Sequence, residues 1–183
     1  MAPEPLRFAT RLVEILFFNA VSLFKEVQSR APQTCGDPTQ AESFIQGWSS
    51  SFKSHVLEGR FAFVNADDEG ADWQVQGTIF RAWKSAQTNT VPFFRLFDPT
   101  TSDFIFVTSP TGAAPVISGF QTQASIGQVY ETQICDSVPL YVVAQAAVGD
   151  HWYTTELSER DELISVGWLD EGIAAYVLPL DGR

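Results

Sequence analysis

The feature that most constrains this chain is that it repeats itself. The segment Val138–Pro179 reads as a strand at Pro139–Val143, a Gly149-Asp150 turn and a second strand at His151–Thr154. A short helix follows through Glu159, Leu163 and Ile164, with Thr155 or Ser158 as its N-cap and Gly167 as its C-terminal left-handed residue. Trp168–Val177 is then a closing strand, with Gly172 allowing a bulge. One period back, Val91–Thr108 overlays this pattern, with Phe93-Phe94 on Leu140-Tyr141 and Asp103-Phe104 on Asp150-His151. Its helix is broken by Pro110, Gly112 and Pro115. A further step gives a weaker first copy, with Phe44–Trp48 as first strand, Ser54-His55 at the hairpin and Trp73 to Gly77 as closing strand. His55 and His151, the only two histidines, therefore fall at one repeat position, shared with Phe104.

Units of this size cannot each bury a face alone, so three of them must pack around one core. The expected fold is mainly β with short helices, a closed pseudo-threefold structure of β-trefoil or small-propeller type. Residues 35–183 form this domain, with repeats at about 41–86, 91–135 and 138–179. Residues 1–34 precede it. Positions 5–29 carry polar residues at helical spacing between Leu12, Ile15, Leu16, Phe17, Val21, Leu23 and Phe24, which reads as an amphipathic helix. A secretory signal or its remnant competes, although Glu14 interrupts the apolar stretch. The run is too short and interrupted for a transmembrane span.

A net charge of −11 argues against nucleic-acid and anionic-membrane partners, which need clustered Lys and Arg. Cys35 and Cys135 lack zinc-finger spacing. Each lies in a linker ahead of a repeat. Threefold closure would bring the two linkers together in a disulfide; two buried free thiols are the other reading.

The chemistry-bearing candidates are few. Asp150, His151, Trp152 and Tyr153 put an aromatic face beside polar groups, the combination on which pyranose rings stack. Phe104 and His55 are their equivalents in the other copies. The competing reading is a hairpin whose aromatics fill the core, with His151 hydrogen-bonded beneath. Trp73, Phe120 and Trp168 recur at one repeat position and read as core. No nucleophile elbow, phosphate-binding glycine loop or calcium-loop spacing is present, so neither catalysis nor a cofactor or metal is expected.

Several motifs resemble the tandem repeat of a secreted domain of unknown function found in basidiomycete fungi and bacteria. They are Asp150-His151-Trp152-Tyr153-Thr154, Ser158-Glu159-Arg160-Asp161, Glu171-Gly172-Ile173-Ala174, Arg95-Leu96-Phe97 and the entry Cys35-Gly36-Asp37-Pro38. The third copy departs from the pattern with Val142-Val143, and the second has Phe104 in place of histidine. That domain is similar to lectin-like accessory modules. The resemblance implies an extracellular, non-catalytic module that binds glycans or cell-wall polysaccharide. The alternative is an accessory subunit of a larger secreted protein, docking through the repeats or the N-terminal helix.

Overall fold

The computed structural model describes residues 34–68 and 72–180. The amphipathic stretch at 5–29 lies outside them. The described chain is mainly β, with two short helices and two antiparallel sheets. β1 (Glu42–Ser49), β2 (Ser54–Gly59) and β3 (Trp73–Ala82) make one sheet, ordered β2-β1-β3. The other sheet contains β4 (Thr90–Asp98), β5 (Asp103–Thr108), β6 (Gln121–Tyr130), β7 (Val138–Gln145), β8 (Asp150–Thr154) and β9 (Leu169–Val177). Its order is β5-β4-β6-β9-β7-β8. The two helices, α1 (Arg60–Asp68) and α2 (Leu157–Ser165), stand between β2 and β3 and between β8 and β9.

Among the described residues the strands form no closed barrel. β6 and β9 share a single residue pair, Tyr130 with Tyr176. Among the described residues, backbone bridging between the end of β3 and the larger sheet is limited to the isolated pairs Arg81–Leu178 and Trp83–Gln128. The ends of the three closing strands nevertheless converge, and Trp83, Tyr130 and Leu178 are buried there. The disulfide Cys35–Cys135 spans this end, with Cα atoms 5.8 Å apart. Trp83 Nε1 donates to the Asp37 carbonyl at 2.6 Å, and the Gly36 N–H donates to Tyr130 Oη at 2.9 Å. Residues flanking Cys35 are thus tied to the same cluster.

Each hairpin turns in the same way. Lys53, Ser102 and Gly149 immediately precede β2, β5 and β8, with φ of 57°, 66° and 68°. Their N–H groups donate to the carbonyls of Ser49, Asp98 and Gln145. A left-handed residue is what reverses the strand, and only the last turn uses glycine for it. A side chain at Gly149 would also meet Thr101 Cβ at 2.7 Å, so the second and third turns touch.

The core is built from Phe44, Phe80, Phe93, Phe106, Leu140 and Tyr153, all buried. Trp73, expected to plug it, is only partly buried at its margin, and Phe120 and Trp168 are half-buried. The reason is positional. All three stand at the entry to a closing strand, far from where the closing strands converge. α2 ends as its sequence requires: Gly167 has φ of 104°, its N–H donates to Ile164 O, and the Trp168 N–H donates to Leu163 O. Its N-cap is Glu156, without a side-chain cap bond, rather than Thr155 or Ser158. α1 had no counterpart in the sequence reading. It follows β2 directly and lays Phe63 into the core.

Candidate ligand-binding site

His55, Phe104 and His151 hold one pairing position. Each is the second residue of its strand, opposite Trp48, Phe97 and Ala144 respectively. The residues before them, Ser54, Asp103 and Asp150, likewise correspond. The links run between strand triplets rather than within them. His55 of the first triplet reaches Asp150 of the third: Nδ1 lies 2.9 Å from both carboxylate oxygens, and the His55 backbone N–H donates to Asp150 Oδ1 at 2.8 Å. His151 of the third triplet reaches Asp103 of the second, with Nδ1 2.8 Å from Oδ2. The remaining position lacks both ionisable groups. There Phe104 replaces the histidine and Ser54 the aspartate, and Ser54 Oγ donates to the Ser102 carbonyl at 2.7 Å.

These groups serve the interior. Asp150 and Tyr153 are buried, as are His55 and Phe104, while Trp152 is half-buried. Tyr153 joins three triplets: its hydroxyl accepts from the Phe106 N–H at 3.0 Å and its N–H donates to Gln46 Oε1 at 3.1 Å. Burial pushes the Tyr153 phenol well above its ordinary range.

His151 faces carboxylates on both sides, because Nε2 lies 3.1 Å from Glu171 Oε2. A carboxylate only accepts, so it is the protonated ring, with hydrogen on both nitrogens, that satisfies both acids. Burial lowers its pKa, but the bonds and charges of Asp103 and Glu171 outweigh burial and raise it above the ordinary 6.5. A raised folded-state pKa contributes stability that is complete below pH 6.5 and is lost as pH rises through the folded value. The melting temperature is therefore expected to fall across that window, and His151→Gln to flatten the slope. Thermal melts between pH 5 and 9 at constant ionic strength check this; equal slopes for the two proteins would refute it.

The open concave surface lies elsewhere. A cleft of about 530 Å³ opens between the first and second triplets, within the usual size of small-molecule sites. One wall is aromatic. Phe52 stacks on Trp73 at 5.6 Å and 8°, and both meet Phe104 edge-on. α1 contributes Ala62, Phe63 and Ala66. Polar groups face this wall: Glu58 from β2, Arg95 from β4 and Gln123 from β6. Ser51 forms the lip, in a turn whose serines are held by Asp72. The Ser51 N–H donates to Asp72 Oδ2 at 3.0 Å and its Oγ to Oδ1 at 2.6 Å, with Ser49 and Ser50 Oγ also donating. Those side-chain bonds hold the Asp72 carboxyl well below the usual carboxylate range.

Two other locations correspond to this cleft by strand register. Arg95 sits opposite Phe106, as Val142 does Tyr153 and Gln46 does Leu57. Between β5 and β9 lies a smaller hollow of about 290 Å³, where Ile105, Val107 and Val142 stand in for Val56, Glu58 and Arg95. At the third location Trp152 takes the place of Val56. Both its indole Nε1 and the Gln46 Nε2 are buried there without a hydrogen-bond partner.

Of the six residues singled out from sequence, Phe104 lines the larger cleft and Tyr153 the smaller. The structure links His55 to Asp150 and His151 to Asp103, but it gathers no common exposed site around the third hairpin. Phe52, Glu58 and Gln123 were missed. Arg95 was visible only as part of an Arg-Leu-Phe motif, and Trp73 only as a repeated aromatic. Among the described residues no helix is long and apolar enough to cross a membrane.

No curated protein and no solved structure matches the chain. A family model described as a domain of unknown function, DUF5648, matches residues 43–178, from β1 to just past β9. With that span covering most of its length, the chain belongs to the DUF5648 domain family.

Proposed function

We propose that this protein is a non-catalytic, secreted, lectin-like module that binds a glycan in the cleft between its first and second strand triplets. The three triplets are read as copies of one unit about a pseudo-threefold axis, and the cleft at Phe104 is the larger of the two junction hollows described above. The observation that carries the reading is the cleft's composition. It combines a slab of aromatic rings for the C–H face of a sugar with Glu58, Arg95 and Gln123 for its hydroxyls. Glycoside hydrolysis ordinarily uses two carboxylates across the scissile bond. Glu58 is the one carboxylate among the described lining residues, and it faces Arg95. Secretion is supported by the disulfide, which persists in oxidising compartments.

A glycan array, with cell-wall polysaccharide pull-down beside it, tests the proposal. The wild type is expected to retain at least one glycan, and Trp73→Ala to weaken it about tenfold through loss of stacking. Trp73 lies at the core margin, so the variant's melting curve is recorded alongside. Retention of no glycan by the wild type, or unchanged binding by a folded Trp73→Ala, would overturn it.

A further inference from the structure

The cleft's polar edge narrows the class of sugar. We infer that it takes neutral pyranosides presenting a vicinal diol and rejects uronates and other anionic sugars. This rests on the glycan reading of the same cleft and deepens it. Glu58 Oε1 and Arg95 Nη1 stand 3.7 Å apart, beyond hydrogen-bonding distance, with side chains only 12% and 26% exposed. Arg95 Nε is buried and has no hydrogen-bond partner. A carboxylate acceptor and guanidinium donors thus lie side by side with capacity unspent. The guanidinium is held over the Phe104 ring, 5.9 Å from its centroid, so its donors keep their place at the aromatic wall.

A vicinal diol answers both groups at once. One hydroxyl donates to Glu58, and its neighbour accepts from Arg95. A sugar carboxylate can only accept, so it satisfies Arg95 while leaving Glu58 facing a like charge. The rest of the molecule adds to that repulsion, with a net charge of −11. A protonated amino sugar meets the converse problem at Arg95.

Calorimetric titration of the full chain with disaccharide pairs that differ in charge tests this. Cellobiose is set against cellobiouronic acid, and galactobiose against digalacturonic acid, with mannobiose and N,N′-diacetylchitobiose as further neutral probes. At least one neutral probe is expected to bind about tenfold or more tightly than its uronate counterpart, with the ratio falling severalfold in Glu58→Gln. The wild-type comparison stands even if that variant is unstable, and its melting temperature shows whether it is. Equal or tighter binding of the uronates, or an unchanged ratio in a folded Glu58→Gln, would overturn the inference while leaving a glycan site intact. If no probe of either charge binds, while the array also retains nothing, the glycan reading itself falls and takes this inference with it.

Discussion

Replacing His55 with phenylalanine is expected to cost about 3–5 kcal/mol of stability, the usual penalty for stripping the hydrogen-bonding partner from a buried carboxylate. The two side chains are 8% and 4% exposed, so Asp150 cannot recover its lost partner from water. Asp150 would keep one donor, the backbone N–H of residue 55, which covers only part of its charge. Phenylalanine is a deliberate choice, because Phe104 holds the corresponding strand position in the second triplet, where Ser54 stands in for the aspartate and bonds the Ser102 carbonyl. The double variant His55→Phe/Asp150→Ser recreates that uncharged pair and is expected to regain most of the loss. Urea unfolding of wild type, both single variants and the double variant gives the coupling energy directly. A His55→Phe protein as stable as wild type, or a double variant whose loss equals the sum of the singles, would show that the contact is not a coupled pair.

The second large effect concerns the disulfide. Cys35 and Cys135 are separated by 100 residues, and in the chain-entropy picture closing a loop of that length contributes about 4–5 kcal/mol. The bridge also anchors the segment whose Asp37 carbonyl accepts from Trp83 and whose Gly36 N–H reaches Tyr130. The Cys35→Ser/Cys135→Ser variant is therefore expected to unfold at a much lower urea concentration with little change in slope. Its weakest region should be that end of the fold. Hydrogen exchange would report early opening at Trp83 and Tyr130 while the Tyr153 N–H stays protected. Uniform loss of protection would instead mean that the bridge acts only through the unfolded chain.

What the sequence made legible was local. Alternating apolar strands, the helix stop at Gly167 and the shared position of His55 and His151 all depend on neighbours a few residues apart. The disulfide was legible because both cysteines precede a repeat. What escaped was whatever depends on a neighbouring triplet. The partner of His55 is 95 residues away, and nothing around Ser54-His55 marks Asp150 as its acceptor. The cleft has the same character: Glu58 and Arg95 come from different triplets and meet only after packing. Turn geometry was half visible, since Gly149 advertises a left-handed residue whereas Lys53 and Ser102 adopt one without glycine. α1 was overlooked because Arg60–Asp68 follows β2 directly, with Gly59 rather than a Ser, Thr, Asp or Asn before its first residue.

The cross-triplet pairing of His55 with Asp150 also dictates an order of events during biosynthesis. The first hairpin emerges early, but the acid it must meet leaves the ribosome 95 residues later. Until then His55 lacks its Asp150 partner, and the Gln46 carboxamide, which receives the Tyr153 N–H, is likewise unengaged. Contacts of such separation make folding slow, because the chain loses loop entropy before the contacts repay it. The final architecture is therefore a late product of the whole domain, and the first strand triplet lacks its cross-triplet bonds until the last hairpin arrives.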